Sequence, residues 1–320
     1  METAVDRPKG GEMRIVVNGQ QAFGKAVLEG LLDRGENVVA VYCPEDQPGK
    51  RPDAVKEVAL PRGLPVYQPK SFKGAAITAE LAALAPDLCV MAFVTKIVPS
   101  SFLDVPKHGT IQYHPSLLPR HRGPSSINWP IIQGETKTGL SIFWPDDGLD
   151  TGPILLQKTV EIGPDDTLGT VYFDKLFPLG VAAMLEAVDL VKSGKAPHIA
   201  QDHAQATYES WCTKEDVGID WSRPAADVYN LIRGANPQPG AWTVLDGTTV
   251  QIFDAAKAGP VKEPPGTVVA VDDDGLRIAA SGGSILARRV RAGSGEKTPG
   301  ADFARAAGIK PGFRFAVRSG

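Results

Sequence analysis

Apolar positions along this chain change rhythm several times. Residues 13–18 (MRIVVN) form a short continuous apolar run, the mark of a buried strand. A turn bounded by Gly19 and Gly24 follows. Val27, Leu28, Leu31 and Leu32 then recur at helical spacing as far as Gly35, a natural helix end. Residues 37–42 (NVVAVY) are apolar again. Strand, glycine turn, helix and strand open a βαβ unit. The alternation continues with a short edge strand at 64–67, an alanine-rich helix at 75–84 and a buried strand at 87–93, with a loop at 94–98. Over residues 172–192, Leu176, Leu179, Ala183, Met184, Ala187, Val188 and Val191 fall every three or four positions, predicting a long amphipathic helix with Met184 in the core. The predicted class is α/β.

Beyond residue 200 the pattern shortens. A helix is predicted at 224–233, with Val228, Leu231 and Ile232 facing inward. Brief strands follow at 250–253, 266–271, 276–280 and 284–290, separated by turns such as Asp274-Gly275 and Gly282-Gly283. Short strands with such turns predict a small β-barrel. The expected division is a disordered tail at 1–12, a catalytic domain at 13–200, a linker at 201–219 and a C-terminal β-barrel domain at 220–320.

Composition narrows the function classes. The chain has 320 residues, 42% hydrophobic and 22% charged, as expected of a globular protein with room for two domains. A formal charge of −3 does not mark a nucleic-acid binder, although residues 226–320 carry 12 Lys/Arg against 9 Asp/Glu. Arg288, Arg289 and Arg291 flank Val290, where a solvated strand face is the commoner reading and an RNA contact the rarer one. Cys43, Cys89 and Cys212 are dispersed and form no C-x-x-C, so neither a disulfide framework nor a zinc site is expected, and the reduced cytoplasm fits best. No run approaches the ~18 apolar residues of a membrane span.

Chemistry is concentrated in residues 108–152, which hold three of the five histidines, His108, His114 and His121. An apolar segment with Leu140, Ile142, Phe143 and Trp144 leads into the acidic glycine turn Asp146-Asp147-Gly148-Leu149-Asp150-Thr151-Gly152. That places Asp150 at a strand end and His114 on a loop before Pro115, a pairing suited to proton transfer. His108 reads as a packing or turn residue, and His121, between two arginines, as a surface residue or a shaper of the loop. No H-x-H or H-x-x-x-H spacing occurs, so no metal is expected. The first glycine turn is Gly-x4-Gly without a following Lys-Ser/Thr, which reads as a tight strand-to-helix connection rather than a phosphate loop.

The stretch Tyr113-His114-Pro115-Ser116-Leu117-Leu118-Pro119-Arg120-His121-Arg122-Gly123, with Gly148-Leu149-Asp150-Thr151-Gly152 after it, resembles the methionyl-tRNA formyltransferase superfamily. It is also similar to the hydrolase domain of 10-formyltetrahydrofolate dehydrogenase, a member of that superfamily. The resemblance runs from about Met13 almost to the C-terminus. It implies a Rossmann-like formyltransferase sheet followed by an OB-like β-barrel, and 10-formyltetrahydrofolate as cosubstrate, without a metal. It implies His114 and Asp150 as catalytic residues: His114 to hydrogen-bond the developing oxyanion, Asp150 to relay protons. The transferases carry Asn two residues before the histidine; Gln112 stands there, its amide one methylene further out, either reaching the formyl oxygen or facing elsewhere. Lys96, Ile97 and Val98, with Ser116, Leu117, Leu118 and Pro119, are implied to line the folate pocket. The implied reaction is formyl transfer to an amine, first of all the initiator methionyl-tRNA; the alternative is hydrolysis to formate and tetrahydrofolate. The loop at 43–53 is shorter and less basic than its counterpart in the tRNA enzymes, which favours the alternative.

Overall fold

A computed structural model describes residues 12–316. The expected tail therefore lies, except for Glu12, outside the described residues. In chain order the first elements are β1 (Ile15–Gly19), α1 (Gln21–Asp33), β2 (Val38–Tyr42), α2 (Ala54–Ala59), β3 (Val66–Tyr67) and α3 (Ala75–Ala83). Next come β4 (Leu88–Ala92), α4 (Ser100–Leu103), β5 (Thr110–His114), α5 (Asn128–Ile132), β6 (Lys137–Phe143) and β7 (Ile154–Glu161). The short α6 (Leu168–Thr170) precedes π-helical turns at Val171–Leu176, and then α7 (Phe177–Lys192). Pro178 has no N–H to return to the preceding turn, and the wide turns occur just before it.

The seven strands form one sheet in the order β3-β2-β1-β4-β5-β6-β7. β1 pairs in parallel with β2 and β4, β2 with β3 and β4 with β5, whereas β5 and β6 run antiparallel. Every residue of β1 and β4 is buried, which is why these strands read as unbroken apolar runs. Val16, Ala40, Tyr42, Cys89 and Met91 pack on one face with Phe72, Leu81 and Phe102. On the other, Gly180 lets α7 approach β5: a Cβ there would lie 2.6 Å from the Tyr113 ring. The glycine turn after β1 has the same purpose, since a Cβ on Gly19 would come within 2.9 Å of the Ala92 carbonyl oxygen.

By length and composition alone, the helical stretch Leu168–Lys192 would suffice to cross a membrane. Within α7, however, Gly180, Ala183, Met184, Ala187, Val188 and Val191 are buried at helical spacing, the pattern of an amphipathic core helix.

Two compact units share the chain. One holds residues up to Arg122, Gly139–Lys158 and Phe177–Thr207; the other holds Gly123–Thr138, Thr159–Leu176 and the chain from Tyr208. The second unit contains α8 (Ala225–Gly234), β8 (Ala241–Leu245), β9 (Thr248–Ile252), β10 (Ala255–Ala258), β11 (Val268–Asp272) and β12 (Gly275–Ala280). It continues with β13 (Gly283–Ala287), β14 (Arg289–Ala292), β15 (Thr298–Pro299) and α9 (Gly300–Ala306). Its core gathers Trp221, Val228, Ile232, Ile252, Ile278, Ile285 and Phe315.

Here the sequence reading needs correction. Instead of one closed barrel, the described residues form two four-stranded antiparallel sheets, β10-β13-β12-β11 and β15-β14-β9-β8. The single strand expected at 284–290 is broken at Arg288, and its halves belong to different sheets. The amides of Arg288 and Arg289 both donate to the Asp254 carbonyl, at 2.8 and 3.2 Å. Such a corner carries a chain from one sheet to the next.

Candidate active site

Strand alternation puts Thr110, Gln112 and His114 on one face of β5, and Ile111 and Tyr113 on the other. Tyr113 stacks on Phe23 with ring centroids 4.2 Å apart, and Thr110 donates to the Leu103 carbonyl at 2.7 Å. Gln112 is half-buried, and its carboxamide hydrogen-bonds to no protein group among the described residues. His114 is 6% exposed at the strand end.

The loop after His114 folds back through its own hydrogen bonds. Ser116 is fully buried and donates to the Arg120 carbonyl at 2.7 Å. The Ser141 hydroxyl donates to the Ser116 carbonyl and accepts from the Leu118 amide. Gln157 Nε2 donates to the Leu118 carbonyl and to the Ser141 hydroxyl, both at 2.9 Å. The loop thus returns His121, with φ +54°, so that its carbonyl receives His114 Nε2 at 2.8 Å. A carbonyl only accepts, so Nε2 carries the hydrogen. Nδ1 is left facing Asp150 Oδ2 at 3.6 Å.

Asp150 arrives on the connection between β6 and β7, 9% exposed. The Asp146 carboxylate organises this turn by accepting from the Gly148 amide at 3.0 Å and the Thr151 hydroxyl at 2.5 Å. Gly152 is required by close approach, because a Cβ there would lie 1.8 Å from the Trp144 carbonyl oxygen. Asp147 accepts from the Ser100 amide at 3.2 Å, and its Ser100 hydrogen bonds hold its carboxyl below the usual range. Asp150 has φ +55°, uncommon outside glycine. Gln201 Nε2 donates to the carbonyls of Asp150 and Gly152, at 2.9 and 2.7 Å. Gln201 Oε1 in turn accepts from Arg122, whose guanidinium is almost wholly buried. Beside the turn, Trp144 stacks nearly parallel on His198, with centroids 4.3 Å apart, and donates to the Pro197 carbonyl.

Lys96, Ile97 and Val98 lie on the loop beyond β4, which leads to Ser100 and so to the contact with Asp147. Their side chains diverge. Lys96 donates to the Pro69 and Lys70 carbonyls, Ile97 is 79% exposed, and Val98 is buried in the core. Ser116 and Leu118 point inward, while Leu117 and Pro119 are half-buried. His114 and Asp150 thus meet at the carboxyl end of β5, where open α/β sheets bind ligands, with Gln112 two residues earlier on the same strand face. No group of three metal-ligating side chains occurs among the described residues. The three cysteines are free thiols, and burial pushes Cys43 up to about 12.

Two residues of this site, Arg122 and Gln201, carried no role in the sequence reading. Of the two readings of His121, the surface one is overturned, since the residue is buried and acts through its carbonyl. Arg122 was part of the quoted motif. Gln201 stands in a polar stretch with no local signal, 51 positions from Asp150.

Comparison with known proteins gives a consistent picture. Residues 13–188 match the formyl transferase family, and residues 212–308 match the formyl transferase C-terminal domain. The chain is 38% identical over 307 residues to methionyl-tRNA formyltransferase of Geobacter sulfurreducens, covering 94% of this chain and 96% of that protein. It is 45% identical over 258 residues to cytosolic 10-formyltetrahydrofolate dehydrogenase of Xenopus laevis; that match covers 78% of this chain but spans only 28% of the longer protein. Among solved structures, HypX from Aquifex aeolicus in complex with tetrahydrofolic acid superposes with a TM-score of 0.66 at 20% identity, over 92% of this chain and 47% of that one, a likeness of fold. With a family match across most of its length and a relative matched almost end to end, the chain belongs to the formyl transferase family.

Proposed function

We propose that the protein transfers the formyl group of 10-formyltetrahydrofolate to an amine, with methionyl-tRNA as acceptor, and works in the cytoplasm. The observation that carries this is the buried approach of His114 Nδ1 to Asp150 Oδ2, with the Gln112 carboxamide, which hydrogen-bonds to no protein group among the described residues, on the same strand face. The near-full-length likeness to a methionyl-tRNA formyltransferase supports the acceptor, and the HypX complex supports the folate.

The amine attacks the formyl carbon and passes its proton to the Asp150–His114 pair. Because His114 Nε2–H is already held by the His121 carbonyl, the imidazole works through Nδ1 on the carboxylate. The tetrahedral oxyanion takes its hydrogen bond from the Gln112 amide. The pair then returns a proton to folate N10 as the C–N10 bond breaks, leaving tetrahydrofolate and the formylated amine. Ile97 and Leu117 offer apolar surface to the folate, while Lys96, Val98, Ser116, Leu118 and Pro119 shape the walls behind it. The functional division is a catalytic domain at 13–200, a linker at 201–219 and residues 220–320, whose two sheets are an opened form of the family's OB-like barrel. Their weak positive balance supports a contact with acceptor phosphates.

A second reading is hydrolysis, with water in place of the amine, favoured by the 45% identity to the dehydrogenase. One assay separates them. Incubation with 10-formyltetrahydrofolate alone gives little formate if the transferase reading holds, and adding methionyl-tRNA gives formylmethionyl-tRNA. Rapid formate release without acceptor replaces the first reading by the second.

A further inference from the structure

One buried polar side chain takes no part in the chemistry above. Gln201 is 6% exposed, and all four of its amide bonding directions in view are committed. Both of its hydrogens go to carbonyls on either side of Thr151, those of Asp150 at 2.9 Å and Gly152 at 2.7 Å. Its oxygen accepts from Arg122 Nη2 at 2.6 Å and Nε at 3.2 Å. Arg122 Nη2 also reaches His203 Nδ1 at 3.0 Å. A guanidinium can only donate and a carbonyl can only accept, so the carboxamide has one allowed orientation.

The backbone it grips is a strained one. Asp150 at φ +55° would relax toward a commoner conformation in a free loop, and such conformers persist only where surroundings over-determine them. The two bonds pin the carbonyls on either side of residue 151, so the backbone after Asp150 cannot swing. The neighbouring His121 carbonyl fixes the His114 ring. The dipeptide His121-Arg122 therefore sets both members of the pair, one directly and one through Gln201.

We propose that Gln201 is a positioning residue: braced by Arg122, it holds the Asp150 carboxylate opposite His114 Nδ1. This rests on the catalytic reading of His114 and Asp150. Gln201→Glu keeps the acceptors for Arg122 but lacks hydrogens for the two carbonyls, while Gln201→Met fills the space with neither. In whole enzyme supplied with 10-formyltetrahydrofolate and acceptor, both variants lower kcat about tenfold to a hundredfold while KM for the folate stays within about twofold, as expected of a displaced catalytic group. The pH profile of kcat also shifts, because the imidazole–carboxylate separation governs how the pair shares its proton. A folded Gln201→Glu or Gln201→Met enzyme with unchanged kcat and pH profile overturns the proposal, as does a loss seen only as a lower melting temperature. Asp150→Asn is measured alongside: inactive Asp150→Asn with fully active Gln201 variants overturns the positioning role alone, whereas active Asp150→Asn overturns the catalytic reading beneath it.

Discussion

Arg122 in one region of this molecule, and Arg289 and Arg305 in another, serve opposite ends. In the unit built on the seven-stranded sheet, Arg122 is 1% exposed and bonded to Gln201 and His203. In the unit with the antiparallel sheets, Arg289 and Arg305 make ion pairs with Asp254 and Asp273 while more than half exposed. A buried guanidinium is tolerated only where its donors are met, so it fixes its partners in place. An exposed pair gains little beyond what water offers and fixes nothing. The lesson is that residue type alone does not tell a scaffold from a coat; desolvation does.

Substitutions test that contrast in descending order of effect. Asp150→Asn should cut turnover by roughly a thousandfold or more, with folate binding kept, because it removes the proton acceptor from a site otherwise intact. Steady-state kinetics beside a folate titration will check it, and retained turnover would take the carboxylate out of the chemistry. Gln112→Leu should slow formyl transfer about a hundredfold, the usual result of deleting one oxyanion donor. An unchanged rate would make Gln112 a scaffold residue. Arg122→Met should destabilise the protein by about 1–3 kcal/mol, since the buried oxygen of Gln201 loses donors it cannot replace with water. Denaturant unfolding measures this, and a value near zero would erase the distinction drawn above. Arg289→Ala should stay within about 0.5 kcal/mol of the parent protein, the range for exposed ion pairs. A larger loss would mean that exposed Arg289 braces its surroundings as tightly as buried Arg122 does.

Much of this was legible beforehand, and the reasons are local. β1, β2 and β4 announce themselves because both faces are buried, which demands continuous apolar runs. The acidic glycine turn marked the loop that carries Asp150, whereas His114, read as a loop residue, proves to be the last residue of β5. What escaped detection depends on distant partners. Gln201 looks like any polar residue until the chain folds the Asp150 turn onto it. His121 contributes a backbone oxygen, and a sequence does not advertise carbonyls. The break at Arg288 arises because two amides converge on one carbonyl of Asp254, 34 positions earlier for Arg288, and no periodicity within 284–290 records that.

The parallel stacking of Trp144 on His198 gives the protein a built-in optical reporter. An indole lying flat against an imidazole loses emission when that ring gains a proton or when light-driven electron transfer reaches it. A ligand bound against this ring pair would alter the surroundings of the indole and so its emission. A variant retaining Trp144 as its sole tryptophan would therefore register occupancy in real time, with no label attached.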